Sequence, residues 1–174
     1  NQKGGVGKTT TCVNLAAALA ATRKQVLLVD MDPQGNATMG SGVDKYELEL
    51  SVYDVLVERT AVASVLSRSQ EGGFDVLAAN SDLTAAEVEL IDAEGRERRL
   101  LDGLQDVCEF YDYILIDCPP SLNMLTLNGL VAADSVLIPM QCEYFALEGL
   151  SALVDTIQRV ADSVNPQLHI EGLL

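Results

Sequence analysis

The chain begins NQKGGVGKTTT (1–11), and the reading of this stretch decides the fold. Gly4, Gly5 and Gly7 open backbone conformations closed to other residues, so successive amides can turn inward around an anion. The alanine- and leucine-rich run over 9–21 predicts a helix, whose start near Thr9 adds a positive dipole end. Lys8 supplies a point charge for β- and γ-phosphates, Thr9 a hydroxyl for Mg²⁺, and Thr10 a hydroxyl for the α-phosphate. Lys3 stands before the glycines and has two readings: a solvent-facing lysine, or a second phosphate contact.

Short apolar runs follow at regular intervals. VLLV (26–29) ends at Asp30, FDVLAA (74–79) at Asn80, and YILI (113–116) at Asp117; SVLIP (135–139) leads to Gln141, and a last run begins near Leu168. Nearly continuous apolar stretches of this length predict strands buried on both faces of a parallel sheet. Helical patterns lie between them: 9–21, one or two short helices over 52–66, 84–108 with Gly95 and Gly103 as weak points, and a stripe from Leu147 to Val160 that stops before Pro166. Strand–helix alternation means α/β with right-handed crossovers. The expectation is one domain over 1–174, a three-layer α/β/α arrangement with a mostly parallel sheet. A phosphate loop needs a strand to aim it, and none precedes residue 1. LHIEGLL, at the other end, reads as a strand just beginning. A fragment is therefore expected, lacking the first strand and the C-terminal part.

The strand ends carry the acids. In VDMDPQGNAT (29–38), alternation puts Asp30 and Asp32 on one side. One acid can serve the metal shell and the other orient a water in line with the γ-phosphorus; the plainer reading is a cap or Asx turn at the strand exit. In YILIDCPPS (113–121), four apolar residues and an aspartate resemble Walker B, whose acid holds Mg²⁺ through water. Pro119 and Pro120 force an irregular exit beside the γ-phosphate. All these groups follow predicted strands, and in a parallel sheet such ends share one edge.

Composition sets limits. Of 174 residues, 48% are hydrophobic and 21% charged, as in a globular chain. The net charge of −15, from 11 basic and 26 acidic residues, argues against strong nucleic-acid binding by this stretch alone. The cluster Arg96, Arg98 and Arg99 reads as a solvated helix face. Cys12, Cys108, Cys118 and Cys142 form no CxxC pair and read as free thiols in a reducing cytoplasm. No apolar stretch reaches membrane-spanning length, and no membrane association is expected.

Counting back from Gly7 puts Gln2 where the pattern GxxxxGK[ST] has its first glycine. KGGVGKTT instead resembles the deviant Walker A motif of the ParA/MinD superfamily of P-loop ATPases. VDMDPQGNAT, DCPPSLNMLTLNGL (117–130) and PMQCEYFALEGL (139–150) are most similar to its ParA/Soj partitioning branch. The resemblance implies an Mg-dependent ATPase that forms an ATP sandwich dimer with itself. The ATP dimer would bind DNA without sequence preference on the nucleoid, and a ParB-type centromere-binding partner would stimulate hydrolysis. It also implies roles. Lys3 is the lysine that crosses the dimer interface, Gly4, Gly5, Val6, Gly7, Lys8, Thr9 and Thr10 hold the nucleotide, and Thr9 is the Mg²⁺ ligand. Asp32 is the acid needed for hydrolysis, Asp117 the Walker B acid, and Asp30 metal-side or structural. Gln141 and Glu143 match the family pattern with no role assigned. The family's DNA-contacting residues are expected mostly in a later part that lies beyond residue 174.

Alternatives remain. A MinD-type membrane-associated ATPase typically has glycine where Gln2 stands, lacks the PQGNAT continuation, and needs a C-terminal amphipathic helix. A ParA-like positioner of protein cargo shares every motif above. An iron–sulfur ATPase of the nitrogenase iron-protein type needs bridging cysteines; Cys118 follows the Walker B acid, but no VCGG-like loop accompanies it.

Overall fold

The computed structural model describes residues 5–140 and 144–174, with side chains described outside 144–149. Lys3, Gly4, Gln141, Cys142 and Glu143 lie outside the described residues. Helix α1 (Lys8–Ala21) leads into strand β1 (Val26–Asp30), then come α2 (Asn36–Gly40), α3 (Val52–Leu56), β2 (Ser67–Arg68), β3 (Asp75–Leu77), α4 (Leu83–Glu89) and α5 (Arg99–Leu104). Strand β4 (Tyr113–Asp117), α6 (Met124–Ala132), β5 (Ser135–Ile138), α7 (Tyr144–Ser163) and β6 (His169–Leu173) complete the order.

Strand β1 is buried along its whole length because side chains on both faces meet a helix layer. Leu27 and Val29 enter the larger core with α3, α4, α5 and Leu125 of α6; Val26 and Leu28 enter a second core with Ala16 of α1 and Ala37 of α2. Each fully buried leucine here contributes about 1.5–3 kcal/mol. Strands β3 and β4 flank β1 in parallel, and β2 adds an antiparallel edge, giving the order β2-β3-β1-β4. Strands β5 and β6 pair in parallel as a separate two-stranded sheet, joined to the rest through a third core between α6 and α7. The architecture is three-layer α/β with a mostly parallel sheet.

The five expected strands form where the apolar runs lie. Burial on both faces holds for β1 but not for β4, β5 and β6, whose patterns are mixed or exposed. Among the described residues, strand β4 pairs with β1 and not with β5. The expected helix over 84–108 is broken. Helix α4 stops at Glu89, Gly95 turns the chain at φ +64°, and two 3₁₀ turns flank α5. Helix α5 ends at Leu104, just past Gly103; an added Cβ at Gly103 would lie 2.8 Å from Val55 Cγ1, so its lack of a side chain also lets α5 close on α3. Two helices lacked a signal. Helix α2 is a single short turn, and α6 (MLTLNGLVA) is apolar nearly all round. Two arginines of the cluster are engaged locally, while the buried Arg99 Nε has no hydrogen-bond partner among the described residues. Arg96 donates to the Ile91 carbonyl, and Arg98 lies 3.9 Å from Asp102.

One buried network fixes the site end of β1. The Asp30 carboxylate is fully buried and accepts from the Thr38 amide (2.8 Å), the Thr38 hydroxyl (2.8 Å) and the Asp32 amide (3.1 Å). The Thr38 hydroxyl accepts in turn from the Ala79 amide at 2.9 Å, tying β1, α2 and the end of β3 together. Gly35 is required in this knot. Its φ is +60°, and an added Cβ would sit 2.7 Å from the Ala79 carbonyl oxygen.

Burial pushes the Asp30 carboxyl up to about 6, against hydrogen bonds that lower it. Unfolded, it titrates near 4. Between those values the folded chain holds a proton the unfolded chain has lost. Stability from this group is therefore present below about pH 4 and is lost as pH rises through about 6, on the order of 3 kcal/mol. Asp30→Asn turns a donor toward the Asp32 amide and should lower Tm at neutral pH. Thermal melts should also show Tm of the variant falling less than wild type between about pH 4 and 7; equal slopes would remove Asp30 as the titrating group. A second variant tests how α6 is seated. Buried Asn128 donates to the Arg96 and Met124 carbonyls and accepts from the Leu100 amide. Asn128→Ala leaves the Leu100 amide and the Arg96 carbonyl without this partner and should cost about 2 kcal/mol in urea unfolding.

Candidate nucleotide site

Gly7 caps α1 in the left-handed region at φ +88°, with no side-chain cap, and its carbonyl accepts the Thr11 amide at 2.8 Å. Gly5 also takes positive φ, +79°. The loop thus turns sharply into a 14-residue helix whose first residue is Lys8. Val6, between the two glycines, is buried.

The parallel register sets Asp30 opposite Asp117, and the Met31 amide donates to the Asp117 carbonyl at 2.8 Å. Both acids therefore end their strands at one level. From α1, the Thr9 hydroxyl donates to Asp117 Oδ2 at 2.7 Å, across 108 residues of sequence. Burial raises the Asp117 carboxyl above its ordinary range; the Thr9 hydrogen bond lowers it, Asp32 raises it, and Lys8 lowers it. A buried acid with its charge this little compensated favours a cation beside it.

Asp32 takes a different place from Asp30. The strand ends at Asp30, so alternation no longer governs residue 32. Asp30 turns into the Thr38 knot, while half-buried Asp32 lines a cleft of about 620 Å³. The Asx-turn reading is realised as well, since Asp32 Oδ1 accepts the Gln34 amide at 2.9 Å. The cleft is walled by Gly5 and Gly7 to Thr10, by Asp32 to Gln34 with Asn36, by the turn 118–121 with Asn123, and by Thr84 and Glu87 of α4. Its size suits a drug- or nucleotide-sized ligand. Of the loop residues expected to hold phosphate, the structure brings Gly5, Gly7, Lys8, Thr9 and Thr10 to this cleft.

Sequence reasoning missed three supports. Thr38 links Asp30 to β3. Lys45 donates to the Gln34 carbonyl at 2.5 Å and steadies the Asp32 loop from outside. Glu87 meets Asn123 across the cleft rim. Each partner lies far along the chain or in the indistinct 40–80 stretch, so no local pattern announces it. The cysteines are quiet. Burial pushes the Cys118 thiol up to about 12 and raises Cys12 further, so both stay protonated. Among the described residues no cluster of three or more His, Cys, Asp or Glu could cage a metal, and no helix is long and apolar enough to cross a membrane.

Residues 1–170 match the family described as AAA domain. An uncharacterised protein of Pseudomonas putida is 66% identical over all of this chain and 66% of its own length. The chromosome partitioning protein ParA of Myxococcus xanthus is 53% identical, with 62% of its length covered. The sporulation initiation inhibitor Soj of Bacillus subtilis is 54% identical, with 69% covered. The chain thus spans about two thirds of the length of these relatives. Among solved structures, a cobyrinic acid a,c-diamide synthase from Mycobacterium smegmatis with bound ADP and magnesium superposes with TM-score 0.96 at 45% identity, over 100% of this chain and 71% of the other. A plasmid partition protein from Borrelia burgdorferi superposes with TM-score 0.83 at 28% identity, over 99% of this chain and 75% of the other. The family match over 1–170, and the identity to ParA and Soj relatives over the whole chain, lead to one assignment: the chain belongs to the ParA/Soj family of proteins built on the AAA domain.

Proposed function

We propose that this chain is the nucleotide-binding part of an Mg-dependent partitioning ATPase, a single domain over 1–174 in a longer protein. The observation that carries the reading is the Thr9–Asp117 hydrogen bond at 2.7 Å, made at the cleft that Asp32 and Lys8 also line.

The loop amides from Gly4 to Thr10 hold the phosphates, and Lys8 places its ammonium at the β/γ bridge. Thr9 and, through water, Asp117 hold Mg²⁺. These two oxygen donors, without a protein cage, would suit a small hard cation such as Mg²⁺. Bound there, Mg²⁺ supplies neutralisation of charge developing on the phosphate oxygens. Asp32 orients the attacking water in line with the γ-phosphorus. Asp30 keeps the strand exit in shape through Thr38. Lys3 reaches the phosphates held by a second copy, so nucleotide binding and dimerisation are linked.

The relatives named ParA and the partition protein from Borrelia support a role in moving DNA. The dimer of the longer protein binds DNA non-specifically through residues beyond 174, on the nucleoid in the cytoplasm. A ParB-type centromere-binding protein stimulates hydrolysis and resets the cycle. The Mycobacterium smegmatis synthase gives a second reading, ATP-dependent amide formation, but its identity of 45% is below that of the ParA and Soj relatives.

Steady-state hydrolysis and light scattering on the longer protein test the proposal. Lys8→Ala should abolish ATP binding. Asp32→Ala should bind ATP and dimerise but hydrolyse about a hundredfold more slowly. Lys3→Ala should bind ATP and stay monomeric. Hydrolysis at the wild-type rate by Asp32→Ala, or ATP-dependent dimers of Lys3→Ala, would contradict the assigned roles. Consumption of ATP only with an amide-nitrogen donor and a carboxylic acid would favour the second reading.

A further inference from the structure

The turn that follows Asp117 is short and held at both ends. Asp117 is fixed by its pairing with β1 and by Thr9. At the far end the Thr126 hydroxyl donates to the Ser121 carbonyl (2.6 Å), and Asn123 caps α6 by accepting the Thr126 amide (3.1 Å). Between these points Cys118, Pro119 and Pro120 line the cleft. The first anchor acts on Asp117, before the turn begins, and the second comes from α6, which the turn itself enters. Among the described residues, one side-chain hydrogen bond ties the turn to anything else: the Asn123 amide donates to Glu87 Oε1.

Glu87 is well placed for this task. Its helix is seated by Leu83, Ala86 and Leu90, all buried in the larger core. Glu87 is half-buried and, with Thr84 one turn before it, forms one wall of the cleft. A carboxylate facing a triphosphate opposes its binding by charge, so its presence needs a compensating role. The contact to Asn123 requires only an acceptor at that point, which the carboxylate provides.

Resting on the ATPase reading above, we propose that Glu87 is a positioning residue for hydrolysis. Its hydrogen bond from Asn123 holds the 118–123 turn against the γ-phosphate end of the cleft. The role is geometric, so it belongs to the rate of hydrolysis rather than to nucleotide affinity.

The test uses the longer protein and four variants. Glu87→Ala removes the acceptor. Asn123→Asp keeps the α6 cap but sets a carboxylate oxygen against Glu87. Both should lower the maximal hydrolysis rate about tenfold, although charge moves ATP affinity in opposite directions, up in Glu87→Ala and down in Asn123→Asp. Glu87→Gln keeps an acceptor and should hydrolyse at close to the wild-type rate. The double variant Glu87→Gln/Asn123→Asp reverses the bond, with the introduced amide donating, and should regain the rate. An unchanged rate in Glu87→Ala overturns the proposal. So does equal damage from Glu87→Gln, which would assign the role to charge, and so does failure of the double variant to recover. If Glu87→Ala does not fold, the Asn123→Asp single and double variants carry the same comparison. If the wild type does not hydrolyse ATP, the ATPase reading fails separately, and amide hydrogen exchange at 121–123 decides the tether. Exchange should quicken in both single variants and slow again in the double; unchanged exchange overturns the proposal.

Discussion

A single hydroxyl–carboxylate contact organises the site. Thr9 sits at the start of α1 and Asp117 at the end of β4, and their 2.7 Å hydrogen bond sets the helix start against the sheet edge. The contact exists because β1 and β4 run parallel and in a register that places Asp117 level with Asp30. A one-residue slip would turn Asp117 to the other face and move every apolar side chain of β4 with it. The core that seats β1 thus also aims the acid. Burial then raises the Asp117 carboxyl, and that unmet charge is what makes the place suited to a cation.

Around this contact, two of the loops that reach the cleft are braced by side chains of other elements. The Asp32 loop is held by the Asp30–Thr38–Ala79 knot and by Lys45 on the Gln34 carbonyl. The turn after Asp117 is held by Thr126 and by Glu87. Preorganisation of this kind keeps reacting groups near productive geometry without drawing on ligand binding. The two acids near β1 also divide their work. Asp30 is spent on structure, and Asp32, two residues on, faces the cleft.

Much of this was legible in the sequence because its signals are local. The glycine loop is contiguous, and VLLVD and YILID each announce a strand that delivers an acid. The parallel arrangement followed from the spacing of apolar runs. The rest depends on partners distant in sequence. Thr38 meets Ala79 and Glu87 meets Asn123 across 41 and 36 residues, and no periodicity encodes such pairs. Helix α6 escaped because it is apolar on nearly every side, leaving no stripe to count. The stretch 84–108 looked continuous because its residues favour helix, yet Gly95 and the packing of Gly103 on Val55 divide it. Exposure along β4 also departs from expectation, since a continuous apolar run does not reveal whether both edges of its strand are paired.

The most direct measurement is calorimetric titration of ATP into the longer protein, with Mg²⁺ and with a chelator, for wild type and Asp117→Asn. If Thr9 and Asp117 together hold the metal, Mg²⁺ should strengthen wild-type binding by about tenfold or more, and Asp117→Asn should lose most of that gain. Binding indifferent to Mg²⁺ in the wild type, or an equal Mg²⁺ response in the variant, would contradict the account.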